Sequence, residues 1–354
     1  MNKKFWKDKN VFITGHTGFK GSWLSIWLNE LGANVTGYAL APVTDISMFE
    51  SLSIEKKVKT VFGDIRNYNG LREQIVLAKP EIIIHMAAQA LVLDSYNNPI
   101  ETYQTNMMGT VNILNAIRDV SSVKVFLNVT SDKCYENREN SNAFKEEDIL
   151  GGSDPYSSSK ACSELITAAY RDSFFKNTVA IASARAGNVI GGGDWALNRI
   201  IPDYIKKINQ NQKLSIRSPK AIRPWQFVLE PLSGYLILAE KLFLEGQGYA
   251  EPWNFGPDNQ DSKSVDWLIS EFDKKYGGGN NFEIELNDNS PHEANHLKLD
   301  CSKSIKRLNW APRLTIDKAI SMTCDWYKNF YGDNNNMYTF TLEQIKQFNL
   351  NLKR

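Results

Sequence analysis

Asn10-Val-Phe-Ile-Thr-Gly15-His-Thr-Gly18-Phe-Lys20-Gly21 joins a short β-rich apolar run to a glycine turn, then to a segment of helical period ending near Leu31. Its glycines are three apart, G-x-x-G-x-x-G rather than the commoner G-x-G-x-x-G. The physical requirement is shared. A strand must turn sharply while its backbone approaches a pyrophosphate, and a Cβ would obstruct that approach. The free N–H groups and positive dipole end of the following helix then face the phosphates. Gly15, Gly18 and Gly21 are therefore expected to cradle a dinucleotide.

Working outward, strands and helices alternate. Trp23, Leu24, Trp27, Leu28 and Leu31 recur at helical spacing, and Gly32 ends that helix. Further strands are expected at 34–38, 57–62, 81–85, 124–130 and 178–183. Asn98-Pro99-Ile-Glu101 opens a helix to about Asp119, and Asp154-Pro155 caps another to about Phe175. This alternation implies parallel pairing with right-handed crossovers, an α/β doubly wound sheet. Past residue 190 loops lengthen, prolines cluster, and Trp195, Trp225 and Trp253 stand among polar residues. The expected organisation is a dinucleotide-binding Rossmann domain over 1–187 and a smaller, mainly substrate-binding lobe over 188–330, with segments returning to the main sheet. A tail over 331–354 carries a short helix started by the capping box Thr341-Leu-Glu-Gln344.

The 354 residues carry 41 basic and 40 acidic side chains, a balance that gives no reason to expect a nucleic-acid partner. The apolar run Ile82 to Leu93 is interrupted by His85 and Gln89 and is too short to span a bilayer, and no signal peptide is read at Met1. Cys134, Cys162, Cys301 and Cys324 form no C-x-x-C pair, so neither zinc nor a disulfide framework is expected. A cytoplasmic protein fits best. His292-Glu-Ala-Asn-His296 matches H-E-x-x-H, but Pro291 precedes it and Leu297-Lys-Leu299 alternates like a strand. It reads as a loop, and no metal site is expected.

Tyr156 and Lys160 lie four apart, on one face of the helix after Asp154. A nearby ammonium favours the phenolate, so Tyr156 is expected to have a lowered pKa and to act as a general base towards an alcohol.

With these segments in order, the chain resembles the extended short-chain dehydrogenase/reductases, and more narrowly the nucleotide-sugar 4,6-dehydratases of the CDP-glucose branch. The resemblance runs from about Asn10 to Tyr327. It rests on the glycine turn, Gly63-Asp64-Ile65-Arg66, His85-Met-Ala-Ala-Gln89, Thr105-Asn106, Thr130-Ser-Asp-Lys-Cys-Tyr135 and Tyr156-x-x-x-Lys160. It continues through Arg185-Ala-Gly-Asn188-Val-Ile-Gly-Gly-Gly-Asp194, Arg223-Pro-Trp225 and Asn254-Phe-Gly-Pro257. The resemblance implies a lyase that dehydrates CDP-glucose to its 4-keto-6-deoxy product in deoxysugar and O-antigen precursor synthesis. In such enzymes C4 is oxidised transiently while the tyrosine, here Tyr156, takes its hydroxyl proton. Water then leaves across C5–C6, and the stored hydride returns to C6.

Elimination needs an acid at the C6 hydroxyl, and Asp132 on the loop after the fifth strand suits that role. Ser131 would hydrogen-bond near the C4 oxygen. Lys133 stands where related dTDP-glucose enzymes carry a glutamate base. It would act either as a neutral amine or through its charge on the enolate. The resemblance further implies that Thr17, Phe19, Lys20, Ile65, Ala87, Ala88, Gln89 and Asn106 hold the cofactor along with the glycines, Tyr156 and Lys160, with Asp64 facing the adenine. The second strand ends Gly37-Tyr38-Ala-Leu-Ala41, with neither the acid that grips a ribose 2′-hydroxyl nor an adjacent arginine. NAD and NADP both remain open from that feature, and the resemblance favours NAD. Arg199, Arg223 and Gly191-Gly-Gly193 are candidates for the sugar-nucleotide pyrophosphate, and Asn188 and Asn254 for further substrate contacts. A 4-epimerase would share Tyr156 and Lys160 without needing Asp132, and a non-catalytic dinucleotide-binding regulator is a further alternative. The helices beginning at Pro99 and Pro155 carry small and apolar residues suited to a homodimer through a four-helix bundle.

Overall fold

The strand that opens the chain, β1 (Asn10–Thr14), is buried over its last four residues, as a central parallel strand covered on both faces must be. The computed structural model describes residues 1–137, 143–285, 297–332 and 336–350. Six more strands join it: β2 (Asn34–Ala39), β3 (Lys59–Phe62), β4 (Ile82–His85), β5 (Val125–Val129), β6 (Ala180–Ala186) and β7 (Pro252–Phe255). Their order is β7-β6-β5-β4-β1-β2-β3, and every pairing is parallel. β1 thus lies between β4 and β2. The chain winds first one way and then the other from it, so a crevice opens above the carboxyl ends of β1 and β4. The expected doubly wound sheet is present, and its seventh strand comes from far along the chain.

Helices cover both faces. Phe19–Glu30 buries Trp23, Leu24, Trp27 and Leu28. The helix from Pro99 carries a π-helical stretch at Gln104–Met108 before continuing as Gly109–Ala116. Pro155–Phe174 is capped by Asp154, whose carboxylate accepts from the Ser157 N–H at 2.9 Å. No helix among the described residues is long and apolar enough to cross a membrane.

In the second half, short ladders pair 189–190 with 226–227, 222–224 with 262–264, and 214–216 with 282–284. Two of the tryptophans that stand among polar residues are core residues: Trp253 is fully buried in β7, and Trp225 is buried. The last helix also differs from expectation. The last helix spans Met337–Leu350, with Thr341 inside it donating to the Met337 carbonyl. Asn336 is the cap, accepting from the Thr339 N–H at 3.0 Å. That helix is no loose tail: Ile345 and Phe348 are fully buried, and the Trp326 indole donates to Thr341.

Candidate active site

The turn after β1 is fixed by its own crowding. Gly15 has φ +77°, and a Cβ there would lie 2.7 Å from the Ala87 nitrogen. One at Gly21 would lie 2.1 Å from the Gly15 carbonyl oxygen. Thr14 ties the turn to the neighbouring strand end, its hydroxyl accepting from the Met86 and Ala87 N–H groups, both at 3.1 Å. The same oxygen meets His85 Nδ1 at 2.7 Å. Burial pushes that imidazole down to about 3, so it stays neutral.

A cleft of about 780 Å³ opens above these strand ends. Gly15, Thr17, Gly18, Phe19, Lys20, Gly21, Asp64, Ile65, Ala87, Ala88 and Gln89 line it, together with Ser131, Asp132, Lys133, Tyr156 and Lys160 and with Asn188, Arg199 and Arg223. Two expected contacts stand elsewhere. Asn106, in the π-helical stretch, is behind the wall. Its side-chain oxygen accepts from the Gln89 N–H at 2.8 Å, and its side-chain amide nitrogen donates to the Gln89 carbonyl and to Ser159, each at 2.9 Å. It shapes the cleft without lining it. Asn254 is fully buried in β7, accepting from the Tyr135 hydroxyl at 2.7 Å and donating to the Phe144 carbonyl at 2.9 Å. Those partners occupy its amide, so it is a scaffold residue and not a substrate contact. Asp64, expected to face an adenine, borders the cleft. Burial works against its charge, but the hydrogen bonds and charge of Arg66 hold the carboxyl below its ordinary value.

The acid loop is a single 3-10 turn, Asp132–Cys134, capped by Ser131, whose hydroxyl accepts from the Lys133 N–H. Asp132 is buried. One carboxylate oxygen accepts from Ser131 at 3.1 Å, and the other has no partner among the described residues. Burial raises its pKa, against the opposing charges of Lys133 and Arg223 and the Ser131 hydrogen bond. Asp132 lines the cleft, and burial biases its carboxyl towards the protonated form. That is what a general acid requires.

Tyr156 departs from expectation. Burial pushes its phenol up to about 12, opposed by a Ser131 hydrogen bond and the charge of Arg199. Desolvating a phenolate outweighs the cations the chain itself supplies. Lys160, also buried, is pushed down to about 8, with Glu164 pulling it back up. Burial likewise lowers Lys20 to about 8, helped by Arg199 and Lys160. Arg199 is held by Asp194 at 2.8 Å, and Asp194 is fixed in turn by the Ala196 N–H.

Glu164 and Asp194 were not singled out by the sequence reading. Glu164 had a signal, since Tyr156, Lys160 and Glu164 follow each other at four-residue steps on one helix face. Asp194 lies five residues before Arg199, with a loop between, and no periodicity links the two. The His292–His296 motif lies outside the described residues.

The model of the GDP-mannose 4,6-dehydratase family matches residues 12–323. Over 334 residues, 93% of each chain, the sequence is 48% identical to the CDP-glucose 4,6-dehydratase of Salmonella typhimurium. Among solved structures, a UDP-glucose 4-epimerase from Stenotrophomonas maltophila with bound NAD aligns with a TM-score of 0.79 at 20% identity, over 91% of this chain and 98% of that one. A dTDP-glucose 4,6-dehydratase from Bacillus anthracis in complex with NAD aligns with a TM-score of 0.76 at 22% identity, over 91% and 97%. Dehydratases and epimerases thus share this fold.

Proposed function

The chain belongs to the GDP-mannose 4,6-dehydratase family, and from that premise we propose that it is an NAD-dependent lyase converting CDP-glucose to CDP-4-keto-6-deoxyglucose. The nucleotide follows the Salmonella relative, at 48% identity. The observation that carries the reaction class is Asp132, a buried carboxyl with a raised pKa and one unengaged oxygen, in the same cleft as Tyr156. An epimerase has no use for such an acid.

The cleft fits a dinucleotide. Gly18 caps the helix Phe19–Glu30 with no side chain in the way, and the helix N-terminus faces the space where phosphates would lie. Bound NAD supplies a hydride acceptor for C4 and a donor for C6.

The remaining chemistry falls to the chain. Tyr156, once ionised, takes the C4 hydroxyl proton, while Ser131 hydrogen-bonds the C4 oxygen. Arg199 and Lys160 supply the positive charge that favours the phenolate. The C4 ketone acidifies C5, whose proton leaves to solvent, and Lys133 stabilises the enolate by charge. Asp132 gives its proton to the departing C6 hydroxyl, so the C6–O bond breaks, a C5–C6 double bond forms and water leaves. Hydride return to C6 and a solvent proton at C5 complete a net loss of one water. Arg199 and Arg223 are assigned to the pyrophosphate, Asn188 to the sugar side, and 188–330 apart from β7 to substrate binding.

Incubation with CDP-, dTDP-, UDP- and GDP-glucose followed by mass spectrometry tests the reading. A product lighter by one water from CDP-glucose is expected. Unchanged mass with all four would overturn it.

The four free cysteines, three of them buried, fit a reducing compartment, and we place the protein in the cytoplasm. We also propose a homodimer through the helices starting at Pro99 and Pro155, on which Ile100, Met108 and Leu165 are exposed.

A further inference from the structure

Behind the acid loop lies a charged pair that does not line the cleft. Glu164 and Arg185 meet at 2.8 Å and are both almost completely buried. Glu164 sits on the Tyr156 helix, one turn beyond Lys160 and two beyond Tyr156. Arg185 projects from β6. Glu164 also accepts from the Thr130 hydroxyl at 2.5 Å and from Ser183 at 2.6 Å. Arg185 donates to the Tyr135 hydroxyl at 2.8 Å and to the Glu146 carbonyl at 3.1 Å, and its guanidinium lies over the Tyr135 ring at 4.8 Å.

Thr130 and Tyr135 are the two ends of the turn that carries Ser131, Asp132 and Lys133. One ion pair therefore grips the acid loop front and back, and its carboxylate belongs to the helix that carries Tyr156. Tyr135 is clamped further: its ring stacks on Phe144 at 4.8 Å and its hydroxyl donates to Asn254.

Stability alone does not account for this arrangement. A buried ion pair is often matched or bettered by apolar residues of the same volume. Here, moreover, the Arg185 Nε has no partner among the described residues. We propose that Glu164 and Arg185 are positioning residues that hold Asp132 at a fixed offset from Tyr156, so that the sugar oxidised at C4 already has its C6 hydroxyl at the acid. The inference rests on the dehydratase reading above and adds a device that serves the elimination half of the reaction.

Thr130→Val and Tyr135→Phe each cut one tether and leave the ion pair in place. Glu164→Gln combined with Arg185→Met removes both charges together. In the two tether variants, KM for CDP-glucose and the first-turnover rise of reduced-nicotinamide absorbance should stay within about twofold. In the double variant, which also removes the Glu164 charge from Lys160, oxidation should slow less than water loss does. Water loss should slow about 10- to 100-fold, the scale expected for small misplacements of a reacting group, and the reduced-nicotinamide band should persist through the steady state. Amide hydrogen exchange at 131–135, which needs no turnover, should speed up in the same variants. Wild-type water loss in all of them, or equal slowing of both half-reactions, would overturn the proposal. If the double variant does not fold, the single tether variants decide. If the unaltered protein releases no water from any nucleoside-diphosphate glucose, the dehydratase reading falls. The exchange rates then decide separately whether the pair holds the loop.

Discussion

At Gly18 a Cβ would meet only the Gly15 carbonyl oxygen, at an ordinary 3.5 Å. The chain itself tolerates a side chain there, and the space in front is where the proposed dinucleotide would lie. Gly18→Val should therefore keep wild-type circular dichroism and lose bound dinucleotide, measured by cofactor content after purification. Gly21→Ala should instead lose stability, because its Cβ would lie 2.1 Å from a carbonyl oxygen. Retained cofactor in Gly18→Val would remove the assignment. Tyr156 and Asp132 separate by stage. Tyr156→Phe should show neither cofactor reduction nor water loss. Asp132→Asn should oxidise C4, accumulate reduced-nicotinamide absorbance and release water about 10²–10⁴-fold more slowly. Water loss at the wild-type rate would make Asp132 a turn residue. Because burial holds the Asp132 pKa up, the acid form is present below that raised pKa and is lost as pH rises through it. The rate of elimination should fall on that alkaline limb, and the limb should vanish in Asp132→Asn.

Elements were legible where one periodicity governs them. The glycine turn, the Asp154 cap and the isoleucine run of β4 can be read from neighbours in sequence. What escaped involves distant partners or a change of period. A π-helical stretch adds residues to a turn without altering composition, so the helix from Pro99 reads as continuous while its register shifts at Gln104–Met108. Thr341-Leu-Glu-Gln344 fits a capping box, but the helix had already begun at Met337, with Asn336 as its cap. Asn254 was read as a substrate contact from a local motif, whereas its partners lie more than a hundred residues away at Tyr135 and Phe144. The Tyr156 phenol was misjudged because helix spacing reveals the neighbouring lysine but not the burial that outweighs it. The last helix carries its own prediction. Phe348 is fully buried and meets Trp27 edge-on at 5.8 Å. Phe348→Ala should cost about 3–5 kcal/mol in chemical denaturation, and a loss below about 1 kcal/mol would mean that the helix is an appendage.

For the whole molecule, two buried imidazoles set a pH limit. Burial lowers His16 from 6.5 to about 4 and His85 from 6.5 to about 3. Both folded pKa values lie below the unfolded one, so the stability they contribute is fully present above pH 6.5. It is lost as pH falls, down to about 4 for His16 and about 3 for His85. Each ring steepens the loss by about 1.4 kcal/mol per pH unit. Tm should fall between pH 6.5 and 5, before most carboxylates titrate, and a flat profile there would contradict the burial of both rings. Light scattering at micromolar concentration should give twice the chain mass, and a monomeric mass would remove the proposed dimer. β7 also bears on the order in which the chain leaves the ribosome. Its Asn254 pairs with Arg185 in register and receives the Tyr135 hydroxyl. The glycine turn and its helix can form as soon as they emerge, but the acid loop gains its last anchor only when residue 254 has been synthesised. A nascent chain halted before Pro252 therefore holds the glycine turn but no settled acid loop, and the two parts of the proposed site mature at different times.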